Sequence, residues 1–206
     1  MLDSAARERI RQAIADVERG TDAELVTVLA ARSDDYRYVP VLWAALGSLL
    51  LPLVLAPFAF SLAVVVAVQL GAFCMLALVL HVPRLAMRLV PRELKNWRAA
   101  NMARRMFLEH ELHHTDDDTG LLIFVSEAEH YVEIIADRGV SKHIADTHWE
   151  AIVAAFVLDV REGRIVDGFL RTIADCGTAL TAAVPKTPGN RNELDDRLVI
   201  VGYDAS

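Results

Sequence analysis

Residues 38–83 read YVPVLWAALGSLLLPLVLAPFAFSLAVVVAVQLGAFCMLALVLHVP, 46 residues without a single Asp, Glu, Lys or Arg. One bilayer crossing takes about 20 apolar residues, and 46 residues would make about 69 Å of helix, enough for two crossings and a turn. Proline interrupts helices, and Pro52 and Pro57 bracket the midpoint, so the reading is two antiparallel helices, Val39–Leu55 and Phe58–Val82. A water-soluble core does not explain the run, because a stretch this long without charge has no face to show to water. His81 falls at the expected interface, and Gln69 is the polar side chain inside the second helix.

All 49 charged residues of the 206 therefore lie outside the run, although the mean hydropathy is +0.31 and the net charge −7. Residues 1–37 carry six basic and eight acidic side chains. Residues 84–105 carry Arg84, Arg88, Arg92, Lys95, Arg98, Arg104 and Arg105 against Glu93 alone, and residues 106–206 carry eight basic and nineteen acidic side chains. Lys and Arg collect on the cytoplasmic side of membrane helices. With Arg32 and Arg37 before the run and the basic cluster after it, both termini are expected in the cytoplasm, the hairpin in the inner membrane. No nucleic-acid partner is expected, because the one basic stretch abuts the apolar run, where anionic headgroups explain it more simply; the lipid bilayer and other membrane proteins are the partners expected. Met1–Gly20 is charged and amphipathic, unlike a cleavable signal, and Cys74 and Cys176 are too differently placed to pair.

The flanking polar segments read as one split domain: 1–37 its first part, 38–83 the hairpin, 84–185 the second part, 186–206 a tail. Asp3 can cap a helix with Ile10, Ile14 and Val17 on one face that ends at Gly20. Glu24–Ala30 is β-branched and reads as a strand, which cannot persist unpaired and needs partners beyond the hairpin. Those are Gly120–Val125, apolar on both faces as a central strand would be, and Tyr131–Ala136, joined by a short polar link. A basic amphipathic helix is expected over 94–114, and further helices over Ile144–Arg161 and Val166–Ala183. Leu198–Val201 is at most a short edge strand. The fold class is α/β: a small α/β/α sandwich interrupted by a two-helix transmembrane hairpin.

Thr115-Asp116-Asp117-Asp118-Thr119-Gly120 leading into Leu121–Glu129, followed by Val132–Val140, resembles the core of the TPM domain family, in a membrane-anchored bacterial subgroup. The family takes its name from a thylakoid lumen protein, a photosystem II repair protein and an animal receptor modulator. The Trp149 helix, Gly163 with Asp167-Gly168-Phe169, and Asn192–Asp196 are similar to the same family. The resemblance implies the α/β/α sandwich and a role in assembly, repair or modulation of membrane complexes, with calcium binding and weak acid phosphatase activity in some soluble members. Those members carry a glycine-tyrosine-glycine-like segment and more acidic residues after the third strand, where this chain has Asp137-Arg138-Gly139.

Four groups of residues are candidates for chemistry. His110-Glu111-Leu112-His113-His114 matches H-E-x-x-H, in which His110 and His114 on one helical face share zinc and Glu111 is general base. Asp116, Asp117 and Asp118 supply hard oxygens for Ca²⁺ or Mg²⁺ without EF-hand spacing. Glu24, Asp137 and Arg138 sit at strand ends, where α/β folds place sites: two carboxylate ligands, Asp137 counted among the metal candidates, and an anion contact. Ser126, Ser141, Thr119 and Cys176 lie in no nucleophile motif, and Trp149 and Phe156 read as core. No cofactor is established by this pattern; a divalent cation, Ca²⁺ or Mg²⁺ before Zn²⁺, is the one it allows. The expected function is a non-catalytic scaffold or modulator of membrane-protein assembly with a cytosol-facing domain. The alternative is a membrane-anchored hydrolase, zinc-dependent or a weak phosphatase.

Overall fold

The computed structural model describes residues 3–115, 117–188 and 198–203. The chain divides into two compact units, Met1–Ser33 with Asn96–Ser206, and Asp34–Lys95.

The first unit is built on a four-stranded sheet. Helix α1, Ser4–Glu18, starts where the Asp3 carboxylate accepts the Ala6 amide at 2.7 Å, an N-cap that satisfies one of the donors a helix start leaves open. Strand β1 follows at Glu24–Ala30, and β2 (Gly120–Ser126) and β3 (Tyr131–Ala136) form the expected hairpin. The left-handed backbone of His130 (φ 51°) closes the hairpin turn. Strand β4, Leu198–Val201, completes the order β3-β2-β1-β4. β1 runs parallel to both β2 and β4, and β2 antiparallel to β3. The tail therefore contributes a parallel edge strand rather than loop alone.

The apolar run of β2 on both faces has its cause in two cores. Leu121, Ile123 and Val125 face a cluster with Ile10 and Ile14 of α1, Trp149, Ile152 and Phe156 of Asp146–Arg161, and Phe169, Ile173 and Cys176 of Ile165–Ala183. Leu122 and Phe124 face Ala99, Met102, Met106 and Phe107 of Arg92–Glu109, together with Leu112. Helices thus cover both faces, the α/β/α sandwich expected from the sequence. Two fully buried Phe rings, Phe156 and Phe169, meet edge to face at 5.0 Å. Gly168 allows the approach, since a Cβ there would lie 2.5 Å from the Phe156 ring.

The second unit holds two helices long and apolar enough to cross a membrane, Tyr38–Phe58 and Leu62–Leu80. The first is segmented: α2 (Tyr38–Leu49), α3 (Leu51–Leu55) and a 3-10 turn (Ala56–Phe58) precede α4 (Leu62–Leu80). Pro52 sits in the first turn of α3, where its missing N–H costs nothing, so it does not reverse the chain. The reversal lies at Ala59 (φ 51°), later than the proline bracket suggests. A short helix α5, Pro83–Leu89, precedes α6, Arg92–Glu109. In chain order α7 is Arg138–Ser141, α8 Asp146–Arg161 and α9 Ile165–Ala183.

Candidate functional site

Glu24, Gly120 and Asp137 line up across the sheet. Glu24 opposes Gly120 in the β1–β2 register, and the Asp137 amide donates to the Gly120 carbonyl at 2.9 Å. This is the amino-terminal edge of the parallel pair, opposite the carboxyl ends at which open α/β sheets place ligands. Sequence order gives strand ends but not which end, because β3 is antiparallel and brings its exit back to the entrances of β1 and β2.

The acidic turn lies against the same edge. Asp118 is left-handed (φ 55°), and its carbonyl accepts the Gly139 amide at 2.7 Å. The Thr119 amide donates to Thr115 Oγ1 at 2.8 Å, and Thr119 Oγ1 donates to the Asp22 carbonyl at 3.1 Å. Gly139 is required by the close approach: a Cβ would lie 2.2 Å from the Asp117 carbonyl oxygen. Asp116 lies outside the described residues.

Each candidate then has a definite environment. Glu24 is 3% exposed and so is not a carboxylate open to solvent. Asp137 caps α7, its Oδ1 accepting the Arg138 amide at 2.8 Å, while Oδ2 is shielded from solvent without a hydrogen-bond partner. Arg138 is exposed. Among the described residues no three His, Cys, Asp or Glu side chains converge as a metal would need. The calcium that the family resemblance implies thus meets one orphaned oxygen, Asp137 Oδ2, and among the described residues falls short of a ligand set.

The H-E-x-x-H stretch is not helical throughout. α6 stops at Glu109, Glu111 is left-handed (φ 55°), and Leu112–His114 form a separate 3-10 turn. The reversal drives Leu112 into the core, close enough to the sheet that a Cβ on Gly120 would lie 2.1 Å from the Leu112 carbonyl oxygen. His110 and His114 therefore do not share a helical face, and the expected helix over 94–114 is shorter by five residues at its end. His113 and His114 rings stand 4.0 Å apart instead.

Several polar groups escape the sequence reading. At the carboxyl end of β2, the Ser126 hydroxyl donates to the Glu129 carboxylate, which also accepts the Ser33 amide at 3.2 Å; Ser33 Oγ donates to Ser126 Oγ at 2.9 Å. Ser126 and Glu129 are both buried, so this network ties the exit of β1 to the hairpin rather than presenting a nucleophile. The three-residue spacing of Ser126 and Glu129 is its one sequence signal. Glu18, buried at the end of α1, accepts the Leu25 amide at 2.8 Å and anchors the start of β1. Tyr131 donates to Glu133 at 3.1 Å; burial raises the Glu133 carboxyl above its ordinary range, partly offset by the Tyr131 hydroxyl and by Arg104.

A parallel-centred four-stranded sheet, helices on both faces and an acidic turn into its second strand define an α/β/α sandwich of the kind the motif suggests. Residues 79–179 match the model of the TPM domain, and the chain carries a TPM domain. The NMR structure of the BA42 protein from the psychrophilic bacterium Bizionia argentinensis is similar in fold, with a TM-score of 0.61 at 16% identity over 97% of this chain and 95% of that one. No curated protein matches the chain.

Proposed function

We propose that the chain is an integral membrane protein whose hairpin spans the inner membrane and holds the TPM domain in the cytosol. There it acts as a non-catalytic scaffold or modulator of membrane-protein assembly. One observation carries the membrane reading: no residue of α4 is buried, so an apolar 19-residue helix is only partly covered by its own chain, chiefly by α2, and needs a hydrocarbon surrounding. The basic flanks support the orientation through the charge rule for cytoplasmic loops. The scaffold role draws on the assembly and repair roles that the family resemblance implies.

Alkaline carbonate extraction of membranes, with cysteine accessibility at Lys142→Cys in a Cys74→Ser background, tests it. Retention in the membrane and labelling only after the cells are opened are expected. Release by carbonate overturns the anchor, and labelling of intact cells overturns the orientation. A second reading, a divalent-cation-dependent hydrolase, has the orphaned Asp137 Oδ2 in its favour. Elemental analysis of the purified protein and of Asp137→Asn tests it: calcium or magnesium lost in the variant supports it.

A further inference from the structure

Outside residues 38–82, three large apolar side chains are exposed among the described residues: Trp97, Leu108 and Leu158. Two of them share one stripe. Trp97 and Leu108 are 55% and 56% exposed and eleven positions apart on α6, which is three turns of an α-helix, and Asn101 and Arg104 fall between them on the same stripe. The opposite face, Ala99, Met102, Ala103, Met106 and Phe107, is buried against β1 and β2, so the outward direction of Trp97 is set by core packing and not by side-chain choice. Arg98 lies with its guanidinium 5.0 Å from the Trp97 ring centre, and Arg105, exposed, borders the stripe from the same flank.

An indole and a leucine flanked by arginines are the composition of a helix that lies in a headgroup layer: the aromatic ring takes the interface, the guanidinium groups take phosphates. The charge pattern chooses the occupant. Residues 84–105 hold seven basic side chains and one acidic one, while residues 106–206 carry more than twice as many acidic as basic groups. The band is thus complementary to an anionic surface and unlike the acidic stretch that follows it in sequence. In sequence it begins directly after the charge-free run, and Trp97 follows Pro83 by fourteen residues.

We infer that the Trp97–Leu108 stripe of α6 is a membrane-surface face that binds anionic phospholipid headgroups, with Arg98 and Arg105 as phosphate contacts. The inference rests on the proposed membrane anchoring. The full chain is reconstituted in nanodiscs whose lipids are brominated near the headgroup, either phosphatidylcholine alone or mixed with phosphatidylglycerol. Emission of Trp97 is isolated as the difference between the wild type and Trp97→Phe, and that of Trp43 through Trp43→Phe. Trp97 is expected to be quenched about twofold or more in the anionic discs, less in the neutral ones, and less again at high salt, since screening weakens exposed charge contacts. Arg98→Gln/Arg105→Gln is expected to abolish the anionic preference while Arg98→Lys retains most of it; the salt series on the wild type gives the same answer without a variant. Trp97 unquenched in discs where Trp43 is quenched overturns the lipid face, assigns the stripe to a protein partner and leaves the anchor intact. Equal quenching in both lipids, insensitive to salt, overturns the phosphate contacts. Trp43 unquenched removes the anchoring reading and this inference with it.

Discussion

The Gly139 amide donates to the Asp118 carbonyl at 2.7 Å, and the two residues are packed so closely that no side chain fits between them. An ideal Cβ on Gly139 would lie 2.2 Å from the Asp117 carbonyl oxygen and 2.6 Å from that of Asp118. Both obstacles are backbone atoms, so relief requires the acidic turn to move away from the edge of the sheet. Gly139→Ala is therefore expected to destabilise the TPM domain by roughly 1–3 kcal/mol, the range for overpacked sites. Gly71→Ala is the control, because no heavy atom lies within 4 Å of the added Cβ. Thermal unfolding of both variants in detergent checks the contrast; equal melting temperatures would refute the close packing.

The second expectation concerns Asp159, which is 1% exposed yet carries a carboxylate. Arg164 and Arg171, one at the start of α9 and one within it, donate to its two oxygens at 2.8 and 2.9 Å. Both arginines are about half exposed, so each can be lost while the other still compensates the buried charge. Arg164→Ala and Arg171→Ala alone are expected to cost about 1 kcal/mol each, the scale of an ordinary hydrogen bond. Together they leave a buried carboxylate unpaired, at about 3–5 kcal/mol, so the double variant should exceed the sum of the singles. A double-mutant cycle by denaturant unfolding decides this, and strict additivity would contradict it.

Much of this architecture is legible in the sequence because it is locally encoded. Asp3 announces α1, the β-branched run of residues 24–30 announces β1, and apolar residues on both faces of residues 120–125 announce a strand covered on both sides. Most of the misreadings have tertiary causes, and one is local. α6 ends early because Leu112 leaves the helical path to dock beside Gly120, a residue eight positions on. Pro52 looks like a turn and is the start of a helical segment, a distinction that depends on the conformation of Leu50 and Leu51 before it. Glu18, Glu129 and Asp159 look like surface charges, and their burial follows only once distant backbone amides and arginines are brought to them. The acidic candidates share one edge because β3 is antiparallel, which periodicity alone does not reveal.

A third expectation follows from Glu133 on β3. Burial raises its carboxyl above the ordinary range, and the Tyr131 hydroxyl, at 3.1 Å, and Arg104 of α6 pull it back only in part. An acid whose folded pKa exceeds its unfolded value binds more protons in the native state. Its stabilising contribution is full below the ordinary carboxylate pKa and is lost as pH rises through the raised value. Stability should therefore gain from acidification across that window, and Glu133→Gln should flatten this part of the pH profile. Tyr131→Phe removes the hydrogen bond that favours the carboxylate, so it should move the Glu133 titration further up. Carbon-13 NMR of the labelled carboxyl, read across pH in both proteins, reports the shift; an unchanged or lowered titration in Tyr131→Phe would overturn the assignment.

The two cysteines should separate cleanly by reactivity. Cys176 is buried in the core beneath β2, and burial, with Asp175 nearby, pushes its thiol far above the ordinary range. The thiolate is the nucleophile, so the folded protein should leave Cys176 unmodified by maleimide at neutral pH and expose it only on unfolding. Cys74 is exposed on α4, amid an apolar surface. In detergent a small neutral maleimide should modify one thiol, and Cys74→Ser should reduce that to none until denaturant is added. In intact bilayers a charged, membrane-impermeant maleimide should fail to reach Cys74 from either side, because the residue lies twelve positions into a 19-residue apolar helix. Rapid modification of Cys74 by the charged reagent in sealed membranes would place α4 in water, and mass spectrometry of the labelled peptides identifies which thiol has reacted.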